Sequence, residues 1–319
     1  MKNVLITGGT GFLGSYITKR ILDQVESITI ITLNIKQKTS LKFLGLEDHY
    51  NFHKINLIQG DICDSNFVKL LFNEYEFDTI FHLAALSEVK KCQPNPRLAF
   101  ETNIMGTVNI LEEARRYKIK AIAVSSSDKA YGSGKVPYLE DYNMGGKGIY
   151  EVSKSCTDLI ARSYYTNYNL PVFVTRCSNL YGGGDMNMSR VIPNNIKLAL
   201  QNKPPLIWKG SELSTREFLY IEDAVDAYLS LIKNIDKVAG EAFNIGSNEI
   251  VSIKSLVGAI LNEINPNLSI NYQEKDFPEI SHQYLDSSKI KKYTGWEAKV
   301  KLAEGLSKTI NDYKTMLPN

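Results

Sequence analysis

Apolar and polar positions follow two rhythms through the first half of the chain. Short, largely apolar stretches at 3–7, 28–32, 54–59, 79–83, 120–125 and 171–176 are the strand candidates, with the length of strands in a covered parallel sheet. Between them, near 12–24, 64–75, 97–117 and 149–168, apolar residues return at the spacing of helices with one buried side. Strand and helix in alternation predict a parallel sheet covered on both faces. Crossovers between parallel strands are right-handed, so the economical topology is doubly wound. After about residue 177 the pattern loosens at Gly182-Gly183-Gly184. Helices are expected near 189–201, 222–234, 252–264 and 302–316, with a short strand at 242–245 that can return to the main sheet. The fold class is therefore α/β, a doubly wound sheet followed by a smaller C-terminal α/β lobe.

Composition changes this picture little. The chain has 319 residues, 37 basic and 35 acidic, for a net charge of +2. Such a balance offers no bulk field for nucleic acid or an anionic membrane. No apolar run reaches membrane-span length, and the chain opens directly into a strand, so neither a membrane anchor nor a signal peptide is expected. Cys63, Cys92, Cys156 and Cys177 are scattered with no C-x-x-C pair, as are the four histidines. Reduced thiols in a cytoplasmic protein are expected, with no metal site.

The first strand runs into Thr7-Gly8-Gly9-Thr10-Gly11-Phe12-Leu13-Gly14, and a helical pattern follows at once. A glycine turn between strand and helix suits a dinucleotide pyrophosphate, because the backbone can approach the phosphates and the helix terminus offers free N–H groups. The glycines fit two registers, Gly9-x-Gly11-x-x-Gly14 and Gly8-x-x-Gly11-x-x-Gly14. A nicotinamide dinucleotide is the expected cofactor. The acid that usually holds the ribose of NAD is missing at the end of the second strand, where Thr32 stands. Lys36 and Lys38 follow and can meet a 2′-phosphate, so NAD and NADP both stay open. Asp61, after the third strand, can accept from an adenine amino group or can cap the next helix, a task open also to Asp64 and Ser65. Ile62 lies beside it. Leu83, Ala84 and Ala85 end the fourth strand, and their small side chains let the backbone run beside the cofactor.

Two further stretches carry chemistry. Tyr150 and Lys154 stand four apart and share one helix face. A nearby ammonium is expected to lower the phenol pKa toward neutrality, making Tyr150 a general base for an alcohol. Ser127-Asp128-Lys129 follows the fifth strand, at the sheet edge where ligands of such folds sit.

Taken in order, the glycine turn, Gly60-Asp61, His82-Leu83-Ala84-Ala85, Asn103-Ile104-Met105-Gly106-Thr107, Ser127, Tyr150 with Lys154, Arg176-Cys177-Ser178-Asn179-Leu180-Tyr181-Gly182 and Arg216–Asp223 resemble the extended short-chain dehydrogenases/reductases, of the nucleotide-sugar epimerase and dehydratase kind. The resemblance implies a Rossmann-type NAD(P)-binding domain over 1–177 and a mainly substrate-binding lobe over 178–319. Within the family, Ser-Asp-Lys at 127–129 is similar to the 4,6-dehydratase pattern, whereas C4 epimerases carry a small residue and then Thr. Met144-Gly145-Gly146 and Gly182-Gly183-Gly184-Asp185 resemble CDP-glucose 4,6-dehydratases in particular. The implied reaction oxidises the sugar at C4, removes water across C5 and C6, and returns hydride to C6. C4 epimerisation is the alternative, and a non-catalytic dinucleotide-binding protein a third reading.

The same resemblance assigns roles. Tyr150 is the base, Lys154 its partner on the nicotinamide ribose, and Ser127 the hydrogen-bond partner of the C4 oxygen. Asp128 is the acid candidate of dehydration, and Lys129 the base candidate, directly or by activating a neighbour. The cofactor lies on Gly8, Thr10, Gly11, Phe12, Leu13, Gly14, Asp61, Ile62, Leu83, Ala84, Ala85, Asn103, Tyr150 and Lys154. Ser87, Ser127, Asn179, Arg190 and Arg216 meet a nucleotide-sugar substrate. A homodimer is implied, built from the helices near 97–117 and 149–168.

Overall fold

The computed structural model describes residues 1–36, 39–274 and 280–316. Its centre is a seven-stranded sheet made of β1 (Asn3–Thr7), β2 (Ser27–Thr32), β3 (Ile55–Gln59), β4 (Thr79–His82), β5 (Ala121–Ser125), β6 (Val172–Cys177) and, later in the chain, Ala242–Ile245. The order across the sheet is Ala242–Ile245, β6, β5, β4, β1, β2, β3, and every pairing is parallel. The direction of strand addition reverses beside β1, which places the crevice at the carboxyl ends of β1 and β4.

Strand side chains alternate between two buried faces. Val4, Ile6, Ile28 and Ile30 point into one apolar cluster, and Leu5, Ile31, Ile122 and Val124 into the other. Both faces are dry because a helix follows nearly every strand, which is why these stretches read as largely apolar. The helix Phe12–Ile21 follows β1 and Ser65–Glu74 follows β3. Ile149–Tyr168 follows the β5 loop and packs on β6. The stretch expected as one helix over 97–117 is divided: Pro96–Phe100 and Gly106–Arg116 flank a π-helical turn at Glu101–Met105.

The C-terminal part adds small sheets that the apolar pattern did not predict. Asn179–Tyr181 (β7) pairs with Thr215–Tyr220 (β9), which also pairs with Ile250–Ser252 and with His282–Gln283. Leu206–Trp208 (β8) pairs with Asn271–Gln273. Among the described residues no helix is long and apolar enough to cross a membrane.

Candidate active site

The turn after β1 is shaped by steric need. Gly8 sits at φ +71°, and a Cβ there would stand 2.9 Å from the Ala84 nitrogen. A Cβ on Gly14 would stand 2.5 Å from the Gly8 carbonyl oxygen. Only glycine fits either position, and Gly11 N–H closes the turn onto Gly8 O at 3.0 Å. The helix then starts at Phe12 with no side-chain cap and no acid in its first turn. Its positive end is left to an anionic group, which suits a pyrophosphate. Thr10 and Thr32 meet through their hydroxyls at 3.2 Å. Asp61 is exposed, and its Oδ1 accepts from Cys63 N at 2.9 Å. Asp64 caps the following helix instead, accepting from the Asn66 and Phe67 N–H groups. Ile62 is buried against Gly106. Lys36 is exposed; Lys38 lies outside the described residues.

The reactive side chains meet at the end of β5. Ser127 caps a 3-10 turn, Asp128–Tyr131, by accepting from Lys129 N at 3.2 Å. Its Oγ donates to Asp128 Oδ1 at 3.1 Å and is in hydrogen-bond contact with the Tyr150 phenol. Asp128 is buried, and its Oδ2 has no hydrogen-bond partner among the described residues. Lys129 Nζ lies 4.0 Å from Asp128 Oδ1 and 3.4 Å from Asn179 Oδ1. Tyr150 and Lys154, four apart on Ile149–Tyr168, are both buried. Ser126 Oγ donates to the Lys154 carbonyl at 3.0 Å and ties the β5 loop to this helix.

The expected electrostatic coupling of Tyr150 to Lys154 is corrected by the structure. Burial pushes the Tyr150 phenol up to about 12, the Ser127 hydrogen bond opposes this, and the Asp128 carboxylate adds to it. Lys154 is not among the groups that hold the phenol down; its Nζ donates to Ser125 O at 2.7 Å. Burial lowers the Lys154 ammonium to about 8. Desolvation wins over charge pairing on both groups.

A chain of buried hydrogen bonds braces the site from below. Leu83 and Ala84 N–H donate to Thr7 Oγ1 at 3.2 Å, and Thr7 Oγ1 lies 2.8 Å from His82 Nδ1. On the other side, His82 Nε2 lies 2.9 Å from Thr107 Oγ1, whose proton goes to Asn103 O at 2.7 Å. With the Thr107 proton spent, Nε2 must donate and Nδ1 accept, so the ring is neutral with its proton on Nε2. Burial, with Lys154 nearby, drops the His82 pKa to about 3. Asn103 sits in the π-helical turn, and its amide holds the Leu86 backbone and Ser153 Oγ. His82, Ser153 and Ser126 were not assigned from sequence. His82 and Ser153 lie inside motifs already noted, but no spacing rule pairs them with residues 25 to 75 positions away.

The expected substrate residues are not all gathered. Asn179 reaches Lys129 as described. Ser87 is exposed on the loop after β4. Arg190 pairs with Asp185 at 2.8 Å, though its charge still reaches Tyr150. Arg216 is buried, and its Nη1 donates to the Thr215 and Ser281 carbonyls.

Comparison with known proteins identifies the chain's relatives. The family described as GDP-mannose 4,6 dehydratase matches residues 5–309. The chain is 33% identical to the dTDP-D-glucose 4,6-dehydratase of Homo sapiens, over 100% of this chain and 91% of that protein. The solved dTDP-glucose 4,6-dehydratase of Bacillus anthracis, in complex with NAD, superposes with a TM-score of 0.87 at 26% identity, over 99% of this chain and 97% of that one. The UDP-glucose 4-epimerase of Thermotoga maritima, solved with UDP-glucose, superposes with a TM-score of 0.90 at 24% identity, over 99% of this chain and 100% of that one, a likeness of fold.

Proposed function

The chain belongs to the GDP-mannose 4,6-dehydratase family, within the extended short-chain dehydrogenases/reductases, and from that membership we propose how its own residues carry out an NAD-dependent nucleotide-sugar 4,6-dehydration. The observation that carries this reading is the Asp128–Lys129 pair. A buried carboxyl oxygen without a partner and an ammonium 4.0 Å from its mate stand beside the Tyr150 phenol. An epimerase has no use for an acid and a base at these two positions.

The glycine turn and the bare end of the Phe12–Ile21 helix would hold the NAD pyrophosphate, with Asp61 and Ile62 toward the adenine, Leu83–Ala85 alongside, and Tyr150 and Lys154 at the nicotinamide ribose. Bound there, NAD would supply the hydride acceptor for C4 and the hydride donor for C6 within one turnover. Tyr150, in its phenolate form, takes the proton of the C4 hydroxyl, and Ser127 hydrogen-bonds the same oxygen as the ketone forms. The ketone acidifies C5–H. Lys129 takes that proton as Asp128 gives one to the departing C6 hydroxyl. Water leaves and the C5–C6 double bond forms; as hydride returns to C6, Lys129 gives the proton it took back to C5, so the protons balance. Asn179, Arg190 and Arg216 hold the sugar diphosphate; for Arg190 this requires release from Asp185.

The four cysteines are free, which supports a reducing compartment such as the cytoplasm. Leu98, Met105 and Leu159 are exposed apolar side chains on the helical stretches at 96–116 and 149–168, and these faces support a homodimer. The testing experiment is a panel of UDP-, CDP-, GDP- and dTDP-hexoses read by mass spectrometry, beginning with dTDP-glucose. Loss of one water from the sugar nucleotide is expected. Unchanged mass with inverted C4 would replace the dehydratase by the epimerase.

A further inference from the structure

The acid–base turn and the Tyr150 helix belong to different parts of the chain, yet dehydration needs their side chains on one sugar within a fraction of an ångström. Besides the Ser126–Lys154 and Ser155–Ala130 hydrogen bonds, one buried guanidinium bridges them. Arg176, on β6, is 1% exposed. Its Nε and Nη2 donate to the two carboxylate oxygens of Asp158 at 2.7 and 3.1 Å. Asp158 lies one turn beyond Lys154 on the same helix. The Arg176 Nη1 turns the other way and donates to the Tyr131 hydroxyl at 2.6 Å and to the Glu140 carbonyl at 3.0 Å. Tyr131 closes the 3-10 turn that Asp128 begins. The guanidinium also lies over the Tyr131 ring, 5.0 Å from its centroid.

The bracket extends further. The Tyr131 hydroxyl passes its proton to Asn244 Oδ1 at 2.8 Å, and Asn244 Nδ2 donates to the Tyr138 carbonyl at 2.8 Å. The Tyr131 and Tyr138 rings stack at 4.8 Å. Four of the five N–H donors of a planar, always-charged fork are therefore used, and rotation of Arg176 breaks links on both sides at once. Buried ion pairs contribute little net stability over apolar packing, but they select one geometry over its neighbours.

We infer that Arg176 is a positioning residue for the dehydration step: by bridging Asp158 and Tyr131 it sets the spacing between the helix bearing Tyr150 and Lys154 and the turn bearing Asp128 and Lys129. This rests on the dehydratase reading above. Tyr150 and Lys154 share one rigid helix, itself held by Ser126 and by the Asn103–Ser153 contact. Loosening the bracket therefore disturbs the acid–base pair more than the oxidising pair.

The test uses the full-length holoenzyme and two conservative variants. Tyr131→Phe removes only the bridging hydroxyl and keeps the stacked ring; Arg176→Lys keeps the charge and loses the fork. Each is mixed with dTDP-glucose, or with whichever panel sugar the wild type dehydrates. Absorbance of bound reduced nicotinamide reports C4 oxidation, and mass reports loss of water. In both variants dehydration is expected to slow about tenfold or more while oxidation changes less than about twofold, so reduced nicotinamide accumulates. A folded Tyr131→Phe protein in which both steps keep wild-type rates, or slow by one common factor, overturns the inference. An inert wild type across the panel instead overturns the dehydratase reading, and this inference falls with it.

Discussion

Asn103 and Ser153, fifty residues apart, meet at 2.8 Å, the Asn103 amide donating to the Ser153 hydroxyl. Ser153 in turn donates to the Tyr150 carbonyl at 2.7 Å, and the other edge of Asn103 holds Leu86 N and O. One side chain thus fastens the loop after β4 to the helix that carries the base. Asn103→Ala removes three buried hydrogen bonds and should cost about 2–3 kcal/mol of stability. Turnover should fall at least about tenfold through misplacement of Tyr150. Urea denaturation and steady-state kinetics read the two effects. A variant with wild-type turnover would show that the brace does not position the base.

Asp128→Asn separates the two halves of the reaction. C4 oxidation needs Tyr150 and Ser127, so the reduced-nicotinamide signal should still form. Water loss should slow by about 10²-fold or more, the usual scale of a lost general acid. Dehydration at the original rate would remove Asp128 from the role of acid.

His82 sets a pH limit on stability. Its folded pKa of about 3 lies below the ordinary value of 6.5. Below pH 6.5 the unfolded chain takes up a proton that the folded chain refuses. The His82 contribution is thus fully present above pH 6.5 and is lost as pH falls toward 3. At pH 5 the loss is about 2 kcal/mol from 1.5 pKa units. Urea unfolding of wild type and His82→Asn at pH 7 and pH 5 isolates this from other groups. Parallel losses in the two proteins would mean that His82 is protonated in the fold.

The exposed apolar residues on the paired helical stretches predict an assembly defect. Met105→Glu combined with Leu159→Glu places two carboxylates on the face proposed to pair. Light scattering after gel filtration should then report a monomer in place of the proposed dimer, with the far-ultraviolet spectrum unchanged. A wild type that is itself monomeric at micromolar concentration contradicts the dimer.

Much of the sheet was legible in the sequence because its strands are dry on both faces. Val4-Leu5-Ile6 has no polar position to confuse the period, and Ile28–Ile31 has only the buried Thr29. The helix at 149–168 was equally plain. The strands at 179–181, 206–208 and 282–283 were not, since two or three residues carry no period. Thr215–Tyr220 is longer, but it buries Arg216 and Glu217 among apolar neighbours, so it lacks the expected alternation. In the site, Tyr150 and Lys154 declare themselves by helical spacing. The direction of Lys154 did not, because its partner is the Ser125 backbone carbonyl, which no side-chain pattern marks. Arg176 and Asp158 are eighteen residues apart on a strand and a helix, a pairing only the packed fold creates.

The central claim is that the hydride removed from C4 comes back to C6 of the same sugar after water has left. It is tested most directly with dTDP-glucose, or the panel sugar found to react, carrying deuterium at C4. The expected product has lost one water, carries a ketone at C4 and bears the deuterium on C6. Deuterium retained at C4 of an undehydrated, C4-inverted sugar would contradict it.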